Sequence, residues 1–323
     1  MKFIVTGGAG FIGHNVVQQL ESAGHECVIF DIMTDYGYLP KSEIEFLISE
    51  RSKKIKANIT DIDLTNDMAT RHCFQKYAQD IDAVIHLASF PRQKVVNQNP
   101  VVGSDVMCTA LVRLMELTKK HNIPKFVYIS SSMVYGDFHN NVQENAVCRP
   151  QGQYAIMKYM GEKLVQDYTD RGAFDHVIIR PSAVYGELDV VDRVVSKFFL
   201  NAMRNVPIKV NGASEILDFT HVTDAAQGIV LAATKSEANN KTFNITYSGD
   251  HAYTLLEAAQ LVVDIVGQGN IEIQDREIGF PSRGLLSVVN ARQTLGFQPK
   301  IDITTGFASY YTWLCQTLNA NKH

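Results

Sequence analysis

The stretch Lys2-Phe3-Ile4-Val5-Thr6-Gly7-Gly8-Ala9-Gly10-Phe11-Ile12-Gly13 decides the fold. Its first half is an apolar, β-rich run, and its second half opens an amphipathic helical period that extends to Ala23. Gly7, Gly10 and Gly13 stand three residues apart at the join. The first glycine permits a tight turn, the second lets the backbone approach a pyrophosphate, and the third brings helix and strand close together. The helix N-terminus adds free N–H groups and the positive end of its dipole. A glycine triplet alone is also an ordinary turn between strand and helix. Here the next strand-like run, Cys27–Phe30, ends on Asp31, about 20 residues beyond the loop. A carboxylate at that point accepts hydrogen bonds from the adenosine ribose hydroxyls and repels a 2′-phosphate. The segment predicts a bound dinucleotide, NAD in preference to NADP.

Working outward, short apolar runs at Ile55–Ile59, Ala83–Leu87, Phe126–Ile129 and Val177–Ile179 read as further strands. Amphipathic periods at Val102–Lys119 and Tyr154–Arg171 lie between them, and Gly24 stands where a helix C-terminal glycine belongs. Strand–helix–strand order repeated this way implies a parallel sheet with both faces covered, a Rossmann doubly wound α/β fold. After Arg180-Pro181 the rhythm changes to helical periods at Val190–Arg204, Val222–Lys235 and Leu255–Val266, with short strand-like pieces at Ile208–Val210 and Phe243–Ile245. Thr254 followed by Glu257 is a capping box for the last of these helices. The expected organisation is a dinucleotide domain over 1–179, with a strand near 242–246 returning to it, and a smaller mixed α/β domain over 180–323 that carries mainly substrate contacts.

Composition narrows the function classes. The 323 residues are 46% hydrophobic, enough for a large core, and the formal net charge is −4, with 30 Lys+Arg against 34 Asp+Glu. No basic excess points to nucleic acid or an anionic membrane surface. No run approaches the roughly 20 apolar residues of a membrane span, and no secretory signal opens the chain. The five cysteines are scattered without a CxxC pair, which predicts reduced thiols and a cytoplasmic location. No histidine pair has metal-ligand spacing, so no metal is expected.

The chemistry-bearing residues lie in the second quarter of the chain. Tyr154 and Lys158 sit at i and i+4 on one face of a predicted helix, so phenol and ammonium meet at one place. Upstream, Ser130-Ser131-Ser132 ends a parallel strand, the edge at which open α/β sheets bind ligands. A tyrosine base must ionise near pH 7, which asks for roughly 4 kcal/mol against its ordinary pKa. A cation about 4 Å away supplies on the order of 4 kcal/mol at an effective dielectric near 20. Lys158, helped by the charged nicotinamide, is therefore sufficient in magnitude, and it is also expected to reach the nicotinamide ribose. Ser131 holds the alcohol and shares its proton. Together these residues predict hydride chemistry on an alcohol.

On these motifs the chain resembles the extended short-chain dehydrogenase/reductase family, in its nucleotide-sugar epimerase/dehydratase group. The likeness runs along nearly the whole length: the glycine loop, His86-Leu87-Ala88-Ser89, the Ser131, Tyr154 and Lys158 set, Arg180-Pro181-Ser182-Ala183-Val184-Tyr185-Gly186, and Asp218-Phe219-Thr220-His221-Val222-Thr223-Asp224. Leu295-Gly296-Phe297-Gln298-Pro299 and the Tyr311–Leu314 tail also fit. The resemblance implies that Phe11 and Ile12 line the pyrophosphate and that Asn58 and Ile59 contact adenine, with Asp61-Ile62 as the alternative register. Leu87, Ala88, Ser89 and Ser182 are implied on the nicotinamide side, and His86 is implied to be structural.

The resemblance is closest to UDP-glucose 4-epimerase-like enzymes. Related dehydratases and decarboxylases carry an acid just after the catalytic Ser/Thr, where this chain has Ser132 and Met133. The implied reaction is C4 epimerisation of a nucleotide-sugar, UDP-linked by preference. A nucleotide-sugar dehydrogenase, reductase or dehydratase, and a non-catalytic NAD-binding regulator, are the alternatives. Ser132, Ala183 and Arg283 join Ser131 and Tyr154 as implied substrate contacts, with Arg193 and Lys209 as further cations for the diphosphate. Ala183, Leu217 and Asp105 depart from the family's usual Asn, Arg and Asn. The resemblance also implies a homodimer through the helices of Val102–Lys119 and Tyr154–Arg171.

Overall fold

The computed structural model describes residues 1–320 with the exception of Tyr36, Tyr38, Pro91 and Ile278. Its strands are β1 (Lys2–Thr6), β2 (Glu26–Asp31), β3 (Ile59–Asp61), β4 (Ala83–His86), β5 (Lys125–Ile129), β6 (Asp175–Pro181), β7 (Val184–Tyr185), β8 (Ile208–Asn211), β9 (Thr220–His221), β10 (Lys241–Ile245) and β11 (Ile271–Gln274). Its helices are α1 (Phe11–Ser22), α2 (Lys41–Ser52), α3 (Asp67–Tyr77), α4 (Gln93–Gln98), α5 (Pro100–Ser104), α6 (Ala110–Lys120), α7 (Gln153–Asp170), α8 (Val194–Met203), α9 (Val222–Thr234), α10 (Leu255–Val266), α11 (Val289–Leu295) and α12 (Ile303–Ala320).

Seven parallel strands form the central sheet in the order β10-β6-β5-β4-β1-β2-β3, bearing out the doubly wound expectation. The order reverses beside β1, and that switch point is where such sheets open a crevice for ligands. Alternation along β1 shows why its run is apolar throughout. Phe3 and Val5 pack on one face with Val16, Val17 and Leu20 of α1 and Ile229 of α9. Ile4 packs on the other face with Phe74 of α3 and Leu111 and Leu114 of α6. A strand buried on both sides has no solvent face to mark with polar residues.

Helix α1 ends as its sequence predicts. Gly24 takes a left-handed φ of 81°, its N–H bonds to Glu21 O at 3.0 Å, and His25 N–H bonds to Leu20 O at 3.0 Å. The Thr254–Glu257 capping box also forms at the start of α10. In the second half, β8 pairs with β11 and β7 with β9. Phe199 of α8, Ile208 of β8, Val262 of α10 and Phe307 and Tyr310 of α12 make a separate core there. Among the described residues, no helix is long and apolar enough to cross a membrane.

Three predicted elements differ in extent. The strand placed at Ile55–Ile59 forms only at Ile59–Asp61, because the Glu21 carboxylate captures the N–H groups of Lys56 and Ala57 at 2.6–3.1 Å. Those donors are lost to the ladder. The helix expected over Val102–Lys119 is interrupted by a π-helical turn at Asp105–Thr109, which turns Val106 and Met107 into a cluster with Phe90, Val95 and Val96. The helix expected from Val190 begins at Val194, because Leu188 takes a φ of 63° and Asp189 accepts from Val190 N–H at 2.8 Å and from Arg193 Nε at 3.2 Å.

Candidate functional site

The glycine loop occupies the carboxyl edge of β1 at the switch point. Gly10 is the N-cap of α1 and offers no side-chain acceptor, so the first-turn N–H groups at Phe11 and Ile12 are uncapped. That open helix end is an anion site by dipole and by free donors. A Cβ on Gly13 would fall 2.0 Å from Gly7 O, and one on Gly10 would fall 3.0 Å from it. Only a loop without side chains packs this tightly under α1. Asp31 closes β2 beside it and accepts from Ala9 N–H at 2.9 Å and Met33 N–H at 3.0 Å. Burial raises the Asp31 carboxyl above its ordinary pKa, opposed by those N–H groups and by Arg51, and reinforced by Asp61.

Asp61 is the register partner of Asp31 across β2 and β3, and Ile62 N–H bonds to Asp31 O at 2.8 Å. Asn58 lies at the other end, its carbonyl accepting from Ile29. Of the two registers for the adenine side, Asn58 and Ile59 stand at the start of β3, and Asp61 and Ile62 at the carboxyl edge where the loop and Asp31 are. At the end of β4, Leu87 and Ala88 both donate to Thr6 O at 3.0 Å, which places this segment directly against the glycine loop. Ser89 follows, with its hydroxyl 3.4 Å from Phe90 O. His86 behind them is buried and bonded through Nδ1 to Thr6 Oγ1 at 2.7 Å. Burial and the Lys158 charge push its pKa down to about 3. It is a neutral structural histidine.

The reactive set converges at the ends of β5 and β6 and the start of α7. Ser131 caps the short 3-10 turn Ser132–Tyr135 and accepts from Met133 N–H at 3.2 Å. Its hydroxyl lies close enough to Tyr154 to act on that phenol. Burial raises the Tyr154 pKa, while Ser131 and the Arg193 charge oppose the rise. The Lys158 Nζ lies 5.9 Å from the centroid of the Tyr154 ring and donates to Ile129 O at 2.8 Å. Burial lowers its pKa to about 7, against the pull of Glu162. Ser132 donates to Ser182 at 3.1 Å, joining the ends of β5 and β6, and Met133 is buried. Ala183 takes a left-handed φ of 37° just beyond.

Across the cleft, Arg283 is half-buried and makes no hydrogen bond or ion pair among the described residues. Burial lowers its pKa to about 10, with Glu215 opposing and Arg193 and Arg276 adding to the fall. Arg276 belongs to this cationic group and was not foreseen. It sits in a loop with no local pattern, held by Glu215 at 3.0 Å and Phe280 O at 2.6 Å. Lys209, a weaker candidate, and Asp105, a departure from the family's usual Asn, are not brought here. Lys209 faces outward from β8, opposite the buried Ile208 and Val210, and Asp105 is exposed on the π-helical turn. Leu217 is buried in the second core.

These features fit NAD. The uncapped α1 end and glycine loop suit a pyrophosphate, Asp31 suits an unphosphorylated ribose, and Lys158 and Tyr154 suit the nicotinamide end. The arrangement can bind a dinucleotide and move a proton to or from an alcohol beside it.

Comparison with known proteins agrees with this geometry. The model of the NAD dependent epimerase/dehydratase family matches residues 3–246. A Bacillus subtilis (strain 168) protein named "Uncharacterized UDP-glucose epimerase YtcB" is 28% identical, over 97% of this chain and 98% of its own. A dTDP-glucose 4,6-dehydratase of Actinoplanes sp. is 27% identical, over 97% of each chain. The crystal structure of UDP-glucuronic acid 4-epimerase from Bacillus cereus, in complex with UDP-glucuronic acid and NAD, superposes with a TM-score of 0.88. It is 24% identical and covers 98% of this chain and 100% of its own.

Proposed function

The chain belongs to the NAD-dependent epimerase/dehydratase family, and from that premise we propose that it is a nucleotide-sugar 4-epimerase acting on a UDP-hexose. The observation that carries this reading is the composition of the loop after Ser131. The reactive set Ser131, Tyr154 and Lys158 is assembled, yet Ser132 is engaged with Ser182 and Met133 is a buried thioether. Neither offers a carboxyl group to take a proton from sugar C5, the step an elimination adds to alcohol oxidation. An enzyme with this loop can remove and restore the C4 hydroxyl proton and do nothing further to the ring.

NAD, when bound, supplies the reversible hydride acceptor. Tyr154 takes the hydroxyl proton, and Ser131, beside it, orients the same hydroxyl. Lys158 stabilises the phenolate by charge and holds the nicotinamide ribose. Without a positive nicotinamide beside it, Tyr154 keeps its proton, because burial raises its pKa and brings Lys158 down to about 7. Proton transfer is thereby confined to the loaded site. Arg283, with Arg193 and Arg276 close enough to act on its charge, is the proposed anchor for the diphosphate. Ser132 and Ala183 line the sugar side. Phe11, Ile12, Asp31, Asp61, Ile62, Leu87, Ala88, Ser89 and Ser182 are the proposed cofactor contacts.

We read the assembly as a homodimer through α5, α6 and α7. Val101, Val102 and Val112 on the first pair, and Ile156 and Met160 on α7, are exposed apolar residues on these elements. The five cysteines are free, in keeping with a reducing cytoplasm. The direct test is to incubate purified protein separately with UDP-glucose, UDP-galactose and UDP-glucuronate and resolve the C4 epimers. Interconversion of one pair with catalytic NAD supports the reading, and inactivity on all three would exclude the UDP-hexose assignment.

A further inference from the structure

Residues 186–193 join β7 to α8 in the second half of the chain, yet they are fastened to the first half. Val184, just before them, is buried in a small apolar cluster with Val222 and Ala225 of α9 and with Phe11 and Ile12 of α1. The segment therefore sets out beside the uncapped helix end at the glycine loop. It next meets α2. Arg51, 4% exposed, donates to Leu188 O through Nη2 at 2.7 Å and Nε at 3.2 Å, and Glu43 accepts from Val191 N–H at 2.9 Å. One residue later it meets the segment after β4. Arg92 donates there through Nη1 to Asp192 Oδ2 at 2.9 Å and to Asp192 O at 3.1 Å.

In the central sheet β1 lies between β2 and β4. Helix α2 follows β2 and Arg92 follows β4, so these fastenings stand on opposite flanks of the switch point, where the crevice for a dinucleotide opens. A chain held at the glycine loop, at α2 and beyond β4 spans that crevice. The two fastenings differ in strength. The Arg51 bonds are buried, whereas the side chains of Arg92 and Asp192 are 16% and 37% exposed, and Asp192 is shared with Lys197 of α8 at 2.6 Å. An ion pair open to water is weak and screened by salt, so the Arg92 side is the one that opens first. Leu188 and Arg92 also take left-handed φ values of 63° and 71°, conformations that L residues keep only while their contacts hold them.

We propose that residues 186–193 form a strap across the dinucleotide crevice, and that the Arg92–Asp192 pair is its latch, setting the rate at which NAD enters and leaves. This rests on NAD binding at the glycine loop and not on which sugar is turned over. A latch that closes the path with or without cofactor slows entry and exit alike, so its loss changes both rates and leaves the affinity in place. Loss of a direct contact to NAD behaves otherwise. It speeds exit alone and weakens binding in proportion.

The experiment loads the protein with radiolabelled NAD, chases with excess unlabelled NAD and follows the label retained; uptake of the same label gives the entry rate. Arg92→Gln and Asp192→Asn should each speed release and uptake together by about three- to fivefold, with the dissociation constant near that of the parent. Arg92→Lys, which keeps the charge, should hold exchange near the parental rate. Lys197→Met removes a charge beside Asp192 that does not cross the crevice, and it should not speed release. Release from the parent should quicken as salt is raised, and that response should be lost in Arg92→Gln. Unchanged release in the folded variants, or faster release with uptake unchanged and affinity lost in proportion, overturns the proposal. If neither variant folds, the parent decides, and release that ignores salt overturns it. Failure to epimerise a UDP-sugar would leave these rates unaffected, so the two readings fail separately.

Discussion

A Cβ on Gly7 would fall 2.6 Å from the amide nitrogen of Ala88. The glycine loop and the segment after β4 are therefore in direct backbone contact, with no room for a side chain. Gly7 also takes a φ of 71°, which an L residue adopts only with strain. Gly7→Ala should cost about 1–3 kcal/mol of stability and weaken NAD at least tenfold, because the loop must move off Ala88. Thermal unfolding with and without NAD measures both. A variant with parental NAD affinity would show that this contact does not shape the site.

Tyr154→Phe should lower turnover by about 10²–10⁴-fold and leave NAD binding near the parental value, since only an ionisable oxygen is lost. Lys158→Met should lose turnover and also weaken NAD, because that side chain has two roles. Paired kinetic and binding measurements separate the two. Comparable losses of NAD affinity in both variants would argue that Tyr154 holds the cofactor and does not act as the base.

Asp31→Ala should weaken NAD about tenfold and relax discrimination against NADP, the carboxylate being the group placed to reject a 2′-phosphate. The parent should show a pH signature of the same residue. Its carboxyl pKa is raised by burial, so protonation on acidification begins at higher pH than for an ordinary aspartate. NAD affinity should fall as pH drops through that raised value, and the fall should vanish in Asp31→Ala. Calorimetric titration across mildly acidic pH checks both points.

The dimer reading predicts that charge on the outer face of α7 separates the subunits. Ile156 is 52% exposed and Met160 36%, one turn apart on that helix. Ile156→Glu with Met160→Glu should convert the sedimenting species to a 36.0 kDa monomer at micromolar concentration without lowering the melting temperature much. A parent that already sediments as a monomer would remove the dimer.

The legible parts of the molecule were those with local causes. Three glycines spaced three apart specify a loop, and Gly24 and the Thr254–Glu257 pair specify helix ends, using only neighbours in sequence. The misread parts have distant causes. Strand β3 is shortened by Glu21, which lies more than thirty residues from the N–H groups it captures. Arg276 joins Arg283 through tertiary placement of a loop that carries no pattern of its own. The Arg180–Glu162 bridge is intermediate. The four-residue spacing of Tyr154, Lys158 and Glu162 on α7 is visible in the sequence, but Arg180, the partner of Glu162, comes from β6.

The central claim is C4 epimerisation with hydride leaving and returning inside one site and no proton chemistry at C5. The most direct measurement uses a UDP-hexose labelled with deuterium at C4, turned over in ordinary water with catalytic NAD, and a parallel unlabelled reaction in deuterium oxide. This account predicts that the C4 label is retained in the epimer, that no solvent deuterium enters C5 or C6, and that no NADH accumulates in solution. Stoichiometric NADH release, or a 4-keto-6-deoxy product carrying solvent deuterium, would contradict it.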